Sequence, residues 1–144
     1  MTDGYVDLHS HYLPGIDDGV RTMAEGLELL AGLEAVGFAK VIATPHIRTA
    51  MFDNRKPELE RAYRELCDIA AGIADLPETG LAAEHFCDDV FWELFCAGES
   101  MPYPGGKAAL IEFHYEMWPR RMEERFFEMQ LKGVRPVLAH PERY

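Results

Sequence analysis

Five short apolar runs recur along the chain, each leading to a histidine or a glutamate and each, except the last, followed by a helical pattern. Residues 5–8 lead to His9, 40–44 to His46, 80–83 to Glu84, 108–111 to Glu112 and 134–139 to His140. Strand and helix in alternation imply parallel strands joined by right-handed crossovers. In a parallel sheet or barrel the strand C-termini share one face, and active sites assemble there. Five residues spaced by about one strand–helix unit would therefore converge, although they are far apart in sequence.

The segments between the runs carry helix signals. Thr22-x-x-Glu25 is a capping box, Met23, Leu27, Leu30 and Leu33 follow at helical spacing, and Gly37 is a stop. Residues 57–75 open on Pro57, which suits a first turn, and Leu59, Tyr63, Leu66, Ile69 and Ile73 form one apolar stripe. A shorter helix is expected over about 89–97, capped by Asp88 or Asp89. Another is expected from near Pro119 to Lys132, with Met122, Phe126 and Met129 inward and Gly133 after it. The fold class expected is thus α/β, with five parallel strands and flanking helices, in one domain spanning 1–144.

The strand-end residues are metal ligands by type. His9-x-His11 places two imidazoles on the same side of a strand, because strand side chains alternate with period two. Asp17-Asp18-Gly19 adds oxygen ligands in a turn. Imidazole with carboxylate suits manganese, iron or zinc, whereas calcium prefers oxygen alone. A carboxylate such as Glu84 bridges ions in two-metal hydrolases. His85 adjoins Glu84 and should point away from it, and His114 lies two residues past Glu112; both read as structural. Arg48, Arg120 and Arg143 follow the second, fourth and fifth strands, where a guanidinium fork suits phosphate.

Several function classes are excluded. A formal net charge of −11 argues against nucleic-acid binding. No apolar run approaches a membrane span, and the opening residues have neither the basic nor the apolar region of a signal peptide, so a cytoplasmic location is expected. Cys67, Cys87 and Cys96 form no C-x-x-C pair and are expected as buried thiols. A cysteine phosphatase needs arginine six positions after its cysteine; Ile73, Glu93 and Pro102 stand there instead.

The run from His9 to Gly19, HSHYLPGIDDG, resembles the opening of the bacterial capsular-polysaccharide tyrosine phosphatases of the polymerase-and-histidinol-phosphatase (PHP) superfamily. Ala43-Thr44-Pro45-His46, Ala83-Glu84, Leu110-Ile111-Glu112-Phe113 and Ala139-His140-Pro141-Glu142-Arg143-Tyr144 resemble its later motifs, in order. The resemblance implies a distorted PHP-type (β/α) barrel holding up to three manganese ions. It implies a phosphatase acting on the tyrosine-phosphorylated tail of a bacterial kinase in capsule or exopolysaccharide regulation. By the same resemblance His9, His11 and Glu84 would hold one ion, Glu84, Glu112 and His140 a second, and Asp18 with His46 a third. Arg143 resembles an arginine that binds the substrate phosphate, with Arg48 and Arg120 as further candidates. A phosphatase for a small phosphomonoester such as histidinol phosphate, or a non-catalytic remnant, stands as the alternative.

The family carries a further Asp-x-His that this sequence lacks, and a closed eight-strand barrel takes roughly 250 residues. The chain is therefore expected to be the N-terminal part of a PHP-type domain. It should keep at most one tight ion, turn over weakly, and self-associate through the edge of its last strand.

Overall fold

The computed structural model describes residues 4–144, which form two compact units. Every strand pair in both units is parallel, as the alternation of strand and helix implied.

The first unit holds β1 (Tyr5–Ser10), α1 (Met23–Ala35), β2 (Phe38–Ala43), nearly all of α2 (Lys56–Ala70) and β4 (Glu78–Leu81). Its sheet has the order β1-β2-β4. The capping box forms as expected: Thr22 Oγ1 accepts from the Glu25 N–H, and the Glu25 carboxylate accepts from the Thr22 N–H. The Arg21 and Thr22 N–H groups, both donating to the Glu25 carboxylate, hold that carboxyl below its ordinary pKa. Tyr12, Leu13, Leu30, Val41, Ala43 and Leu66 make the core. Each fully buried Leu or Val side chain among them stabilises the fold by roughly 1.5–3 kcal/mol relative to exposure.

The second unit holds β3 (His46–Ile47), β5 (Glu84–Phe86), α3 (Asp89–Ala97), β6 (Ala108–Glu112), α4 (Met122–Leu131), β7 (Arg135–Leu138) and a 3-10 turn, Pro141–Arg143. Its sheet has the order β3-β5-β6-β7. Asp88 caps α3 by accepting from the Phe91 N–H at 2.8 Å. Phe91 and Phe95, one turn apart on α3, pack with Ile111, Phe113 and Met129, and Met122 and Phe126 lie against them as expected.

Among the described residues seven strands stand where five were expected, in two sheets of three and four. The second and third apolar runs each prove to be two strands. Pro45 has no N–H to continue a ladder, and Thr44 instead bonds back to Ser10, its N–H to the Ser10 carbonyl at 2.8 Å. At the other break the Ala83 N–H leaves the ladder for the Met101 carbonyl, 3.0 Å away. His46 and Glu84 therefore open short strands rather than following long ones.

Three further expectations are corrected. The second helix ends at Ala70, where Gly72 and Ile73 close a turn on Ile69 and Ala70, so Ile69 and Ile73 are exposed. The fourth helix starts at Met122, because Arg121 before it has a left-handed backbone (φ 58°). Of the three thiols, all free, only Cys87 is buried. Cys96 is exposed, one step around α3 from the inward-facing Phe95.

Candidate metal centre

In the second unit, parallel pairing sets His46 of β3 directly across from Glu84 of β5, and Phe86 across from Glu112 of β6. Residues 84 and 86 share a strand face, so Glu112 comes up beside Glu84. His140 follows β7, and its left-handed backbone (φ 31°) turns the chain into the 3-10 turn. A strained residue of this kind persists where surrounding contacts over-determine it. Here the His140 Nε2 atom sits 2.9 Å from Glu84 Oε1.

The group is tight and shielded from solvent. The side chains of Glu84 and Glu112 are 1% and 5% exposed. His46 Nδ1 lies 3.3 Å from Glu84 Oε2 and 3.3 Å from Glu112 Oε1. One ligand atom from each of His46, Glu84 and Glu112 falls within a span of 4.8 Å. Asn54 donates to the His46 carbonyl at 2.8 Å, and the Phe52 ring stacks on the imidazole, so both the backbone and the ring of His46 are held. Arg48 lies over the Phe86 ring, with its NH1 3.7 Å from Glu112 Oε1.

This donor set fits a divalent cation. Glu112 Oε1 is buried with no hydrogen-bond partner among the described residues. A carboxylate oxygen in that state carries a desolvation cost that a coordinated cation would remove. Two buried carboxylates with two imidazoles are the borderline donors that manganese, iron or zinc accept.

The first unit carries the other three proposed ligands. His9 lies in β1 and His11 just beyond its end; their rings are 5.3 Å apart, so the expected two-pronged arrangement forms. Tyr12 and Leu13 anchor the following loop, with the Tyr12 hydroxyl donating to the Gly80 carbonyl at 3.0 Å. α1 comes close to this loop at Gly26, where a Cβ would meet the Tyr12 carbonyl at 2.5 Å. Gly19 closes the Asp-Asp-Gly turn; a Cβ there would lie 2.3 Å from the His11 carbonyl. Asp18 is exposed, whereas Asp17 turns inward, with Oδ2 2.8 Å from His11 Nδ1.

The remaining histidines divide as expected. His85 is wholly buried, with Nδ1 3.1 Å from the Leu110 carbonyl and Nε2 accepting from the Met101 N–H at 3.1 Å. Burial pushes its pKa down to about 4, so it is a neutral structural residue. His114 accepts from the Glu116 N–H in its own loop. Arg143 and Arg120 are exposed, and among the described residues neither forms an ion pair. Sequence reasoning missed Tyr144. Its hydroxyl accepts from the Phe113 N–H at 2.9 Å and stands 3.3 Å from His140 Nδ1. Burial raises its pKa.

The family model for capsular polysaccharide synthesis proteins, CpsB/CapC, matches residues 5–144. The chain belongs to this family. It is 31% identical over 144 residues to the tyrosine-protein phosphatase YwqE of Bacillus subtilis, a match covering 96% of this chain and 54% of that protein. It is 28% identical over 139 residues to the tyrosine-protein phosphatase CpsB of Streptococcus pneumoniae, covering 96% of this chain and 57% of CpsB. The chain spans about half the length of the curated relatives it matches. Crystal structures of YwqE and CpsB describe them as metal-dependent tyrosine phosphatases. The fold matches with a TM-score of 0.88 at 29% identity, over 96% of this chain and 56% of the solved one.

Proposed function

We propose that this CpsB/CapC chain carries ligands and phosphate-binding residues of a manganese-dependent protein-tyrosine phosphatase of PHP type. Its substrate would be the tyrosine-phosphorylated tail of a bacterial kinase in capsule or exopolysaccharide regulation, in the cytoplasm. The observation that carries the reading is the buried His46–Glu84–Glu112–His140 cluster with its unsatisfied carboxylate oxygen. Relatives that are metal-dependent tyrosine phosphatases support it. Among the described residues no helix is long and apolar enough to cross a membrane.

Divalent ions supply Lewis acidity toward a phosphoester and lower the pKa of a bound water to about 7. The chain's own residues would do the rest. His46, Glu84, Glu112 and His140 would hold metal in the second unit, and His9, His11 and Asp18 are the ligands that the first unit would offer. Burial of Glu84 and Glu112 excludes competing water from their oxygens. Arg143 offers its planar fork to the phosphate oxygens, with exposed Arg120 as a further contact. Arg48 has a second task, since it balances the Glu112 carboxylate.

The test is hydrolysis of a phosphotyrosine peptide by the chain with manganese, with a chelator, and with Cys67, Cys87 and Cys96 all changed to Ser. Release of phosphate that needs manganese and survives loss of all three thiols is the expected result. Dependence on a thiol, or turnover of histidinol phosphate in preference to the peptide, would overturn the reading.

A further inference from the structure

Asp17 carries no ligand role in the reading above, yet its side chain is 1% exposed beside a half-buried His11 at 22%. A carboxylate so buried must have its oxygens satisfied. Oδ1 accepts from the Gly19 N–H at 3.0 Å, and Oδ2 lies 2.8 Å from His11 Nδ1. We infer that Asp17 is a positioning residue for His11, holding the imidazole with its proton on Nδ1 and presenting Nε2 as the ligand atom for a divalent cation.

An ionised carboxylate has no proton to give, so the hydrogen between Asp17 and His11 sits on the ring nitrogen. With the proton on Nδ1, Nε2 carries the ring lone pair that can coordinate. A metal-ligating histidine characteristically gives its other N–H to a carboxylate in this way, which fixes both tautomer and ring orientation.

The loop holds Asp17 in place. The Val20 N–H donates to the His11 carbonyl at 3.2 Å, and the Gly15 N–H to the Val20 carbonyl at 2.9 Å. Gly19 presses against His11 itself, so the residue that accepts at Nδ1 and the residue it orients are parts of one closed turn. The adjacent pair thereby divides its labour. Asp17 points inward to the imidazole, and exposed Asp18 is left as the candidate oxygen ligand.

The bland alternative is an ion pair that closes the loop and does nothing more. It makes no demand on which ring nitrogen carries the proton. The inference rests on reading His11 as a metal ligand, so the test has one arm without metal. Nitrogen-15 NMR of labelled histidine in the metal-free chain, under mildly alkaline conditions, should show His11 protonated at Nδ1. Asp17→Ala should move it to Nε2, while Asp17→Asn, which keeps a carbonyl oxygen, should retain much of the Nδ1–H form. His11 protonated at Nε2 in the unaltered chain, or unmoved in D17A with the D17N spectrum otherwise native, would overturn the inference.

The second arm is titration with manganese alone. D17A should weaken binding about 10–100-fold, D17N less, and D17A should add nothing once His11 is Ala. Equal affinity in D17A and the unaltered chain would overturn the metal-directed role. Failure of the unaltered chain to bind manganese would sink the phosphatase reading instead, and the tautomer comparison would still decide whether Asp17 sets the ring.

Discussion

Replacing Glu112 by Gln separates a metal ligand from a structural ion pair. Glu112 Oε1 has no hydrogen-bond partner among the described residues, and its neighbours His46 Nδ1 and Arg48 NH1 stand at 3.3 and 3.7 Å. An unsatisfied buried polar group costs about 1–3 kcal/mol, and a charged one more. Glutamine keeps the volume and removes the charge, so this cost falls. The contact with Arg48 is lost, but at 3.7 Å it is longer than a hydrogen bond, and the guanidinium keeps its place over the Phe86 ring. Without metal, E112Q should therefore match the unaltered chain or exceed it by up to about 2 kcal/mol. Manganese at a hundredfold excess over its Kd should stabilise the unaltered chain by about 2.7 kcal/mol. E112Q should gain much less, because an amide oxygen is a poorer ligand than a carboxylate. Urea denaturation followed by circular dichroism, with manganese and with chelator, measures all four values. Loss of more than about 2 kcal/mol in metal-free E112Q, with an undiminished response to manganese, would refute the reasoning and make Glu112 a structural anion.

Two further outcomes follow from the same geometry. Tyr144→Phe keeps the ring packed on Phe113 but removes the hydroxyl beside His140, so manganese affinity should fall about tenfold with little change in folding, measured by calorimetric titration. Burial pushes the Cys87 thiol up to about 11, so its thiolate fraction near pH 8 is about one part in a thousand; iodoacetamide with mass-spectrometric mapping should label exposed Cys96 first and Cys87 last.

What the sequence revealed, and what it hid, divides along physical lines. Features set by neighbours in sequence were legible. The Thr22–Glu25 capping box closes within one helical turn, and the His9–His11 pairing follows from strand periodicity. The strand-end glutamate at 112 and a structural His85 pointing away from Glu84 were also readable from alternation. Features set by tertiary partners were not. The ladder breaks at Pro45 and Ala83 depend on which carbonyl captures the next N–H, so two of the expected strands became four. The exposure of Cys96 depends on the rotational phase of α3, fixed by Phe91 and Phe95 against β6. Asp17 and Asp18 are chemically identical, and only the closed turn around Gly19 decides which faces His11. Tyr144 gave no sign of its role, because its partners Phe113 and His140 meet it only after β6 and β7 have paired.

The central claim is that Glu84, Glu112 and His140 hold a divalent ion. Crystals of the chain grown with manganese, with diffraction recorded at the manganese absorption edge, locate such an ion directly. The expected result is an anomalous peak bonded to Glu84, Glu112 and His140, with the 2.9 Å contact between His140 Nε2 and Glu84 Oε1 replaced by bonds to the ion. A saturated crystal with no peak at these side chains, and with that contact intact, would contradict it.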